Sequence, residues 1–142
     1  MSIDGLSDAA IRDILTTTKR IALVGASAKP DRPSFGVLRF LLDCGYDVTP
    51  VNPGLVGEEI LGRAVVARLA EAAPLDMVDI FRASDQVGPV VEQAIAAGAR
   101  VIWMQLGVVN EAVAAAARQA GLIVVMDRCP AIESARLGLA EH

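Results

Sequence analysis

Histidine is almost missing from this chain: there is one in 142 residues, and it is the last, His142. Cysteine is nearly as scarce, with Cys44 and Cys129 far apart and no Cys-x-x-Cys spacing. A zinc site or a serine–histidine triad needs several such groups held together, so neither has material here. His142 itself reads as a frayed terminus. The segment Met1-Ser2-Ile3-Asp4-Gly5 has no basic region and no apolar signal core, so export is not expected. The chain therefore reads as cytoplasmic and free of structural disulfides. No apolar block approaches the roughly 20 residues of a membrane span. Basic excess is missing too. The formal net charge of −4 argues against nucleic acid and acidic membrane surfaces as partners. Repeats, low-complexity tracts and linkers do not occur, and residues 1–142 read as one domain.

What is present is apolar and blocky. Hydrophobic residues make up 54% of the chain, in short runs between turn signals. Strands are expected near 20–25, 47–51, 64–66, 77–81, 101–104 and 122–126. A first helix runs from Ser7, as N-cap, to about Thr17, with Ala9, Ala10, Ile14 and Leu15 partly on one face. Further helices are expected from Ser34 to about Cys44, briefly before Pro74, from Gln86 to Ala97 and from Glu111 to Ala120. Gly45, Gly98 and Gly121 close three of them. Strands rich in Val and Ile that alternate with helices imply a parallel sheet covered on both faces. The fold class is α/β: a Rossmann-like doubly wound parallel sheet in a single three-layer domain, with strand order 3-2-1-4-5-6.

Ligands of such sheets sit beyond the carboxyl ends of the strands. The tips here are Gly25-Ala26-Ser27, Val51-Asn52-Pro53, Phe81-Arg82, Gln105-Leu106-Gly107 and Asp127-Arg128-Cys129-Pro130. Each is polar or contains glycine, although the strands feeding them are apolar. In the first, Ile21-Ala22-Leu23-Val24 stops at Gly25-Ala26-Ser27, passes Lys29, Pro30, Asp31, Arg32 and Pro33, and enters a helix at Ser34. A buried strand, a glycine turn and a helix N-terminus present N–H groups and a positive dipole end to a phosphate. The dinucleotide fingerprint is incomplete. Ala26, Ser27 and Ala28 follow Gly25, so its second and third glycines are missing, and strand two ends at Asn52-Pro53 without a carboxylate for a ribose diol. No Gly-Lys-Ser/Thr of a P-loop occurs either. Asp76, Asp79 and Asp127 flank strands and read as strand-end or turn carboxylates rather than acid–base groups. Trp103 and Cys44 read as core. The small residues from Val113 to Ala117 suit packing on the sheet or on another subunit.

Six segments carry a resemblance: Ile21–Ser27, Arg32-Pro33-Ser34-Phe35-Gly36, Val51-Asn52-Pro53, Val78-Asp79-Ile80-Phe81-Arg82, Trp103-Met104-Gln105-Leu106-Gly107 and Met126-Asp127-Arg128-Cys129-Pro130. In this order and spacing, over about residues 15–135, the chain resembles the stand-alone bacterial CoA-binding domain proteins. Those are related to the N-terminal domain of the succinyl-CoA synthetase alpha subunit. The resemblance implies coenzyme A or an acyl-CoA as ligand. It implies the nucleotide end at Gly25, Ala26 and Ser27, and the adenosine along Val51, Asn52 and Pro53. Lys29, Arg32 and Arg82 are the cations near its phosphates, Phe81 belongs to the same set, and Gln105, Leu106 and Gly107 border the pantetheine arm. The synthetase subunit works through a phosphorylated histidine on a further domain, which this chain is read as lacking. No nucleophile and base pair up either, so the resemblance implies a binding module more than a complete enzyme. A CoA-binding subunit of a multi-subunit acyl-CoA ligase, a sensor of CoA level and an NAD(P)-dependent oxidoreductase with a degenerate glycine loop stand as alternatives, and a homo-oligomer is left open. Cys129 beside Arg128 either exchanges with the CoA thiol or is a structural, loop-placed cysteine. Gly25→Val with Ser27→Ala is expected to abolish binding while the fold survives.

Overall fold

The computed structural model describes residues 3–139, and His142 lies outside them. In chain order the main elements are α1 (Asp8–Thr17), β1 (Arg20–Val24), α2 (Pro33–Asp43), β2 (Asp47–Val51), β3 (Glu59–Ile60) and β4 (Arg63–Ala64). Then come β5 (Met77–Ile80), α3 (Val87–Ala96), β6 (Val101–Met104), α4 (Glu111–Gln119), β7 (Ile123–Val125) and α5 (Pro130–Arg136). Five strands form one parallel sheet in the order β2-β1-β5-β6-β7, an α/β Rossmann-like arrangement with the first crossover reversing direction.

Side chains alternate across this sheet and fill a core on each face. Ala22, Val24, Val78, Ile80, Ile102 and Met104 pack with Val87, Val91 and Ala94 of α3 and with Ala114 and Ala117 of α4. The small residues of α4 thus serve the sheet. Ile21, Leu23, Met77, Val101, Trp103 and Val125 pack on the other side with α1 and α2. Ser7 caps α1 by accepting the Ala10 N–H at 3.2 Å. Ile11, Ile14 and Leu15 are its buried residues, whereas Ala9 is exposed.

The expected third strand is corrected. Residues 63–64 pair antiparallel with β3 in a separate hairpin, and only Val66 reaches the sheet, through a single parallel bridge to Val51. The cause is at the sheet edge. Pro50 turns its carbonyl outward to the Val66 N–H at 3.1 Å but has no N–H of its own to continue the ladder. The Arg63 Nε donates to the next outward carbonyl, that of Val48, at 2.8 Å. The helix α5 is also new. From the sequence Pro130 reads as ending a strand or fixing a loop turn, yet proline is favoured at the first position of a helix, where its missing N–H costs nothing.

Asp79 corrects a third reading. Asp76 and Asp127 are turn carboxylates: Asp76 accepts the Lys19 and Arg20 N–H groups at 2.9 and 3.0 Å, and Asp127 that of Gly107 at 2.7 Å. Asp79 instead lies inside β5, level with Leu23 and Trp103, fully buried, with neither carboxyl oxygen hydrogen-bonded. Burial holds its carboxyl well above the ordinary carboxylate range. The folded chain therefore keeps a proton that the unfolded chain releases above pH about 4. The stability this proton supports is complete below that pH. It falls as pH rises toward the folded-state value, by up to about 1.4 kcal/mol per pH unit. Asp79→Asn is expected to gain more than about 1 kcal/mol over the parent between pH 4 and 8 in urea titrations. A constant difference across that range would show that the carboxyl titrates normally.

Candidate functional site

The tip of β1 is bolted to its neighbours. Gly25 has φ +88°, and a Cβ built there would fall onto the Phe81 carbonyl oxygen and 3.0 Å from its carbonyl carbon. Only glycine permits that approach. The N–H groups of Gly25 and Ala26 both donate to the Val51 carbonyl, at 3.1 and 3.4 Å. Asn52 closes the corner, donating from Nδ2 to the Ala26 carbonyl and accepting the Gly54 N–H, each at 2.8 Å. This refines the expected anion loop. The amides of Gly25 and Ala26 are committed within the protein, and Asn52 is a brace between two tips. The amides of Ser27 and Ala28 have no acceptor among the described residues. The Ser27 hydroxyl accepts the Lys29 N–H at 3.1 Å and keeps its own proton to donate. Beside it α2 begins at Pro33 after Arg32, without a side-chain cap, and its first residues, Pro33 and Ser34, bring the positive end of the helix dipole to the same place.

These elements enclose a cavity of about 530 Å3. Gly25 to Lys29, Arg32 to Ser34, Asn52, Phe81 and Arg82 line it, as do Gly54 and Leu55, which the sequence reading passed over. A short 3-10 turn, Pro53–Leu55, folds those two back over the loop. The charge pattern is one-sided: Lys29, Arg32 and Arg82 line the cavity, and no acid does. Arg20, Arg63, Arg68, Arg100, Arg128 and Arg136 each face a carboxylate, while these three, like Arg12, Lys19, Arg39 and Arg118, have no ion-pair partner among the described residues. Val51 and Pro53 are not part of it. The Val51 side chain belongs to the core on the α3 side, and both residues border a separate hollow of about 150 Å3.

A second cavity, of about 440 Å3, shares Pro33, Phe81 and Arg82 with the first and is otherwise mostly apolar, with Val37, Leu106 and Val108. Gln105 lines it too, with 6% of its surface exposed and its Oε1 without a partner. Gly107 lies outside both cavities. Its φ of +80° and its bonds to Asp127 and Ser84 make it a turn residue. Cys129 is buried at the head of α5, between this cavity and a third of about 800 Å3. The Arg128 guanidinium is taken up by Asp4, at 2.9 Å twice, and by Glu133 at 2.6 Å, so its charge is balanced beside the thiol. Among the described residues no cluster of three His, Cys, Asp or Glu could hold a metal ion, and no helix is long and apolar enough to cross a membrane.

Comparison with known proteins bears on the family and the fold. The family described as CoA binding domain matches residues 19–135. The uncharacterized protein YneT of Bacillus subtilis (strain 168) is 42% identical over 124 residues, 87% of this chain and 90% of that one. A hypothetical protein from Pyrococcus horikoshii OT3 superposes with a TM-score of 0.91 at 45% identity, over 96% of each chain. The dinucleotide-forming acetyl-coenzyme A synthetase 1 of Ca. Korarchaeum cryptofilum, solved with phosphate and ADP, superposes with a TM-score of 0.65 at 25% identity. That likeness covers 75% of this chain and 25% of the synthetase.

Proposed function

The chain belongs to the CoA binding domain family, and on that footing we propose that it binds coenzyme A or an acyl-CoA across the carboxyl edge of its sheet. One observation carries the reading. A chain of net charge −4 gathers three unpaired cations and no acid around a single cavity at a strand–glycine–helix turn. CoA brings a pyrophosphate and a 3′-phosphate, and planar guanidiniums bind such groups by two parallel bonds. The second cavity then takes the pantetheine arm. A buried acceptor without a partner costs about 1–3 kcal/mol, and a pantetheine amide N–H would relieve that cost at Gln105 Oε1. Nicotinamide dinucleotides fit less well, because the β2 tip offers Asn52, already bonded on both sides, where a ribose diol wants a carboxylate.

The protein acts in this reading as a binding module. Its likeness to one quarter of a synthetase supports a second reading, in which it lends CoA to a separate ligase component. A pull-down that returns an acyl-CoA ligase subunit would favour it. The primary test is thermal shift with CoA, acetyl-CoA, NAD, NADP and ATP. CoA at 100 times its Kd is expected to raise Tm by roughly 5–10 °C. A rise with NAD or NADP alone would replace the reading by the oxidoreductase one. Arg82→Ala is expected to weaken CoA by about tenfold or more and dephospho-CoA far less, through loss of a charge-assisted bond to the 3′-phosphate. Equal losses would remove Arg82 from that role.

A further inference from the structure

The third cavity adjoins the second. It meets the second at Leu106 and Cys129, which line both, as the second meets the first at Phe81 and Arg82. The three therefore lie side by side in the order of the strand tips β1, β5, β6 and β7. At about 4.8 Å per strand this is a trough roughly 14 Å long. Its chemistry changes along the way. The β1 end is cationic. At the β7 end Ile3, Leu106 and Ile132 stand 54%, 53% and 54% exposed on the walls, three of the seven exposed large hydrophobics of the described chain. Both guanidiniums there are already engaged. Arg128 holds Asp4 and Glu133, Arg136 holds Asp8 and Glu133, and Asp127 takes the Gly107 N–H. No unpaired cation lines this end, and three carboxylates line it against two guanidiniums.

We propose that this end of the trough receives the acyl group of a bound thioester and favours an uncharged, apolar acyl chain over one that ends in a carboxylate. The proposal rests on the CoA reading above. Position points to the occupant: the third cavity lies on the side of the second that is away from Lys29, Arg32 and Arg82, where the phosphates of the ligand are proposed to be anchored. The exposed Ile3, Leu106 and Ile132 side chains reward buried methylenes, whereas a terminal carboxylate would face Asp127 and Glu133 with no unpaired cation to meet it.

Isothermal titration of CoA, octanoyl-CoA and succinyl-CoA separates the possibilities, with Ile132→Asp as the variant. Ile132 is a solvent-facing residue of α5, and an unchanged urea midpoint checks the variant's fold. Octanoyl-CoA is expected to bind at least roughly tenfold tighter than CoA, and succinyl-CoA no tighter than CoA. Ile132→Asp is expected to erase the octanoyl gain and leave CoA affinity unchanged. Equal affinity for CoA and octanoyl-CoA, preference for succinyl-CoA, or a gain that survives Ile132→Asp overturns the acyl assignment while CoA binding stands. Failure of all three ligands to bind overturns the CoA reading, and the acyl assignment with it.

Discussion

Gly25→Val is expected to lose CoA binding and much of the folded stability together. The residue sits at φ +88°, where a side chain costs about 1–2 kcal/mol and a β-branched one more. Its Cβ would also meet the Phe81 carbonyl, which is backbone and cannot swing aside as a side chain can. Overpacking of that kind adds about 1–3 kcal/mol. Together these correspond to a fall in Tm of roughly 10 °C. The collision also pushes apart the β1 and β5 tips, which carry the Ser27 and Arg82 sides of the same cavity. The sequence suggested that Gly25→Val with Ser27→Ala would spare the fold, and the Phe81 contact corrects that expectation. Ser27→Ala is the cleaner probe of binding alone, since Ser27 is only half-buried. A Gly25→Val protein with the parent's Tm and CoA affinity would mean that the tips do not approach as described.

Arg128→Ala is expected to cost about 3–5 kcal/mol, because it takes the guanidinium away from two buried carboxylates, Asp4 and Glu133, of which Glu133 keeps Arg136. The Asp4 side chain is fully buried, Glu133 is 9% exposed and Arg128 itself is 11% exposed. The network ties three separate parts of the chain: the segment before α1, the β7 tip and α5. Asp4 also accepts the Met126 N–H at 3.1 Å, and Arg128 donates to the Leu6 carbonyl at 3.1 Å. Arg128→Lys should recover only part of the loss, since an ammonium cannot reproduce the planar fork. The pH profile provides an independent check. Burial alone would raise the Glu133 carboxyl, but the bonds from Arg136 and Arg128 pull it below its usual value. Its contribution is therefore present above the unfolded pKa of about 4.3 and is lost as pH falls through the lower folded value. That acid-side loss should shrink in Arg128→Ala. A urea midpoint close to the parent's, with an unchanged acid limb, would reduce the network to the small value of a surface pair.

The Gln86–Ala97 and Glu111–Ala120 helices were legible to within a residue or so, because apolar period and closing glycine are local signals. The Pro130–Arg136 helix was not, since its proline signals a stop and a start equally well. The cationic loop after β1 could be read, as Lys29 and Arg32 are neighbours in sequence. That Arg82 joins them, unpaired, follows from β5 lying beside β1. Gln105 was visible as a strand-tip residue, but its unpartnered Oε1 has no trace in one dimension.

The sequence by itself therefore determined the repeating units of this protein: greasy parallel strands, the helices between them and the polar tips, all written in spacings of a few residues. Tertiary structure decided what those tips can do. Asp4 and Arg128 stand 124 positions apart and share one ion pair. Pro50 starves an edge that periodicity would have extended, and Asp79 is buried by strands on either side of it. Each outcome depends on which donors, acceptors and charges remain after distant segments have used their share, and that remainder exists only once the chain has closed on itself.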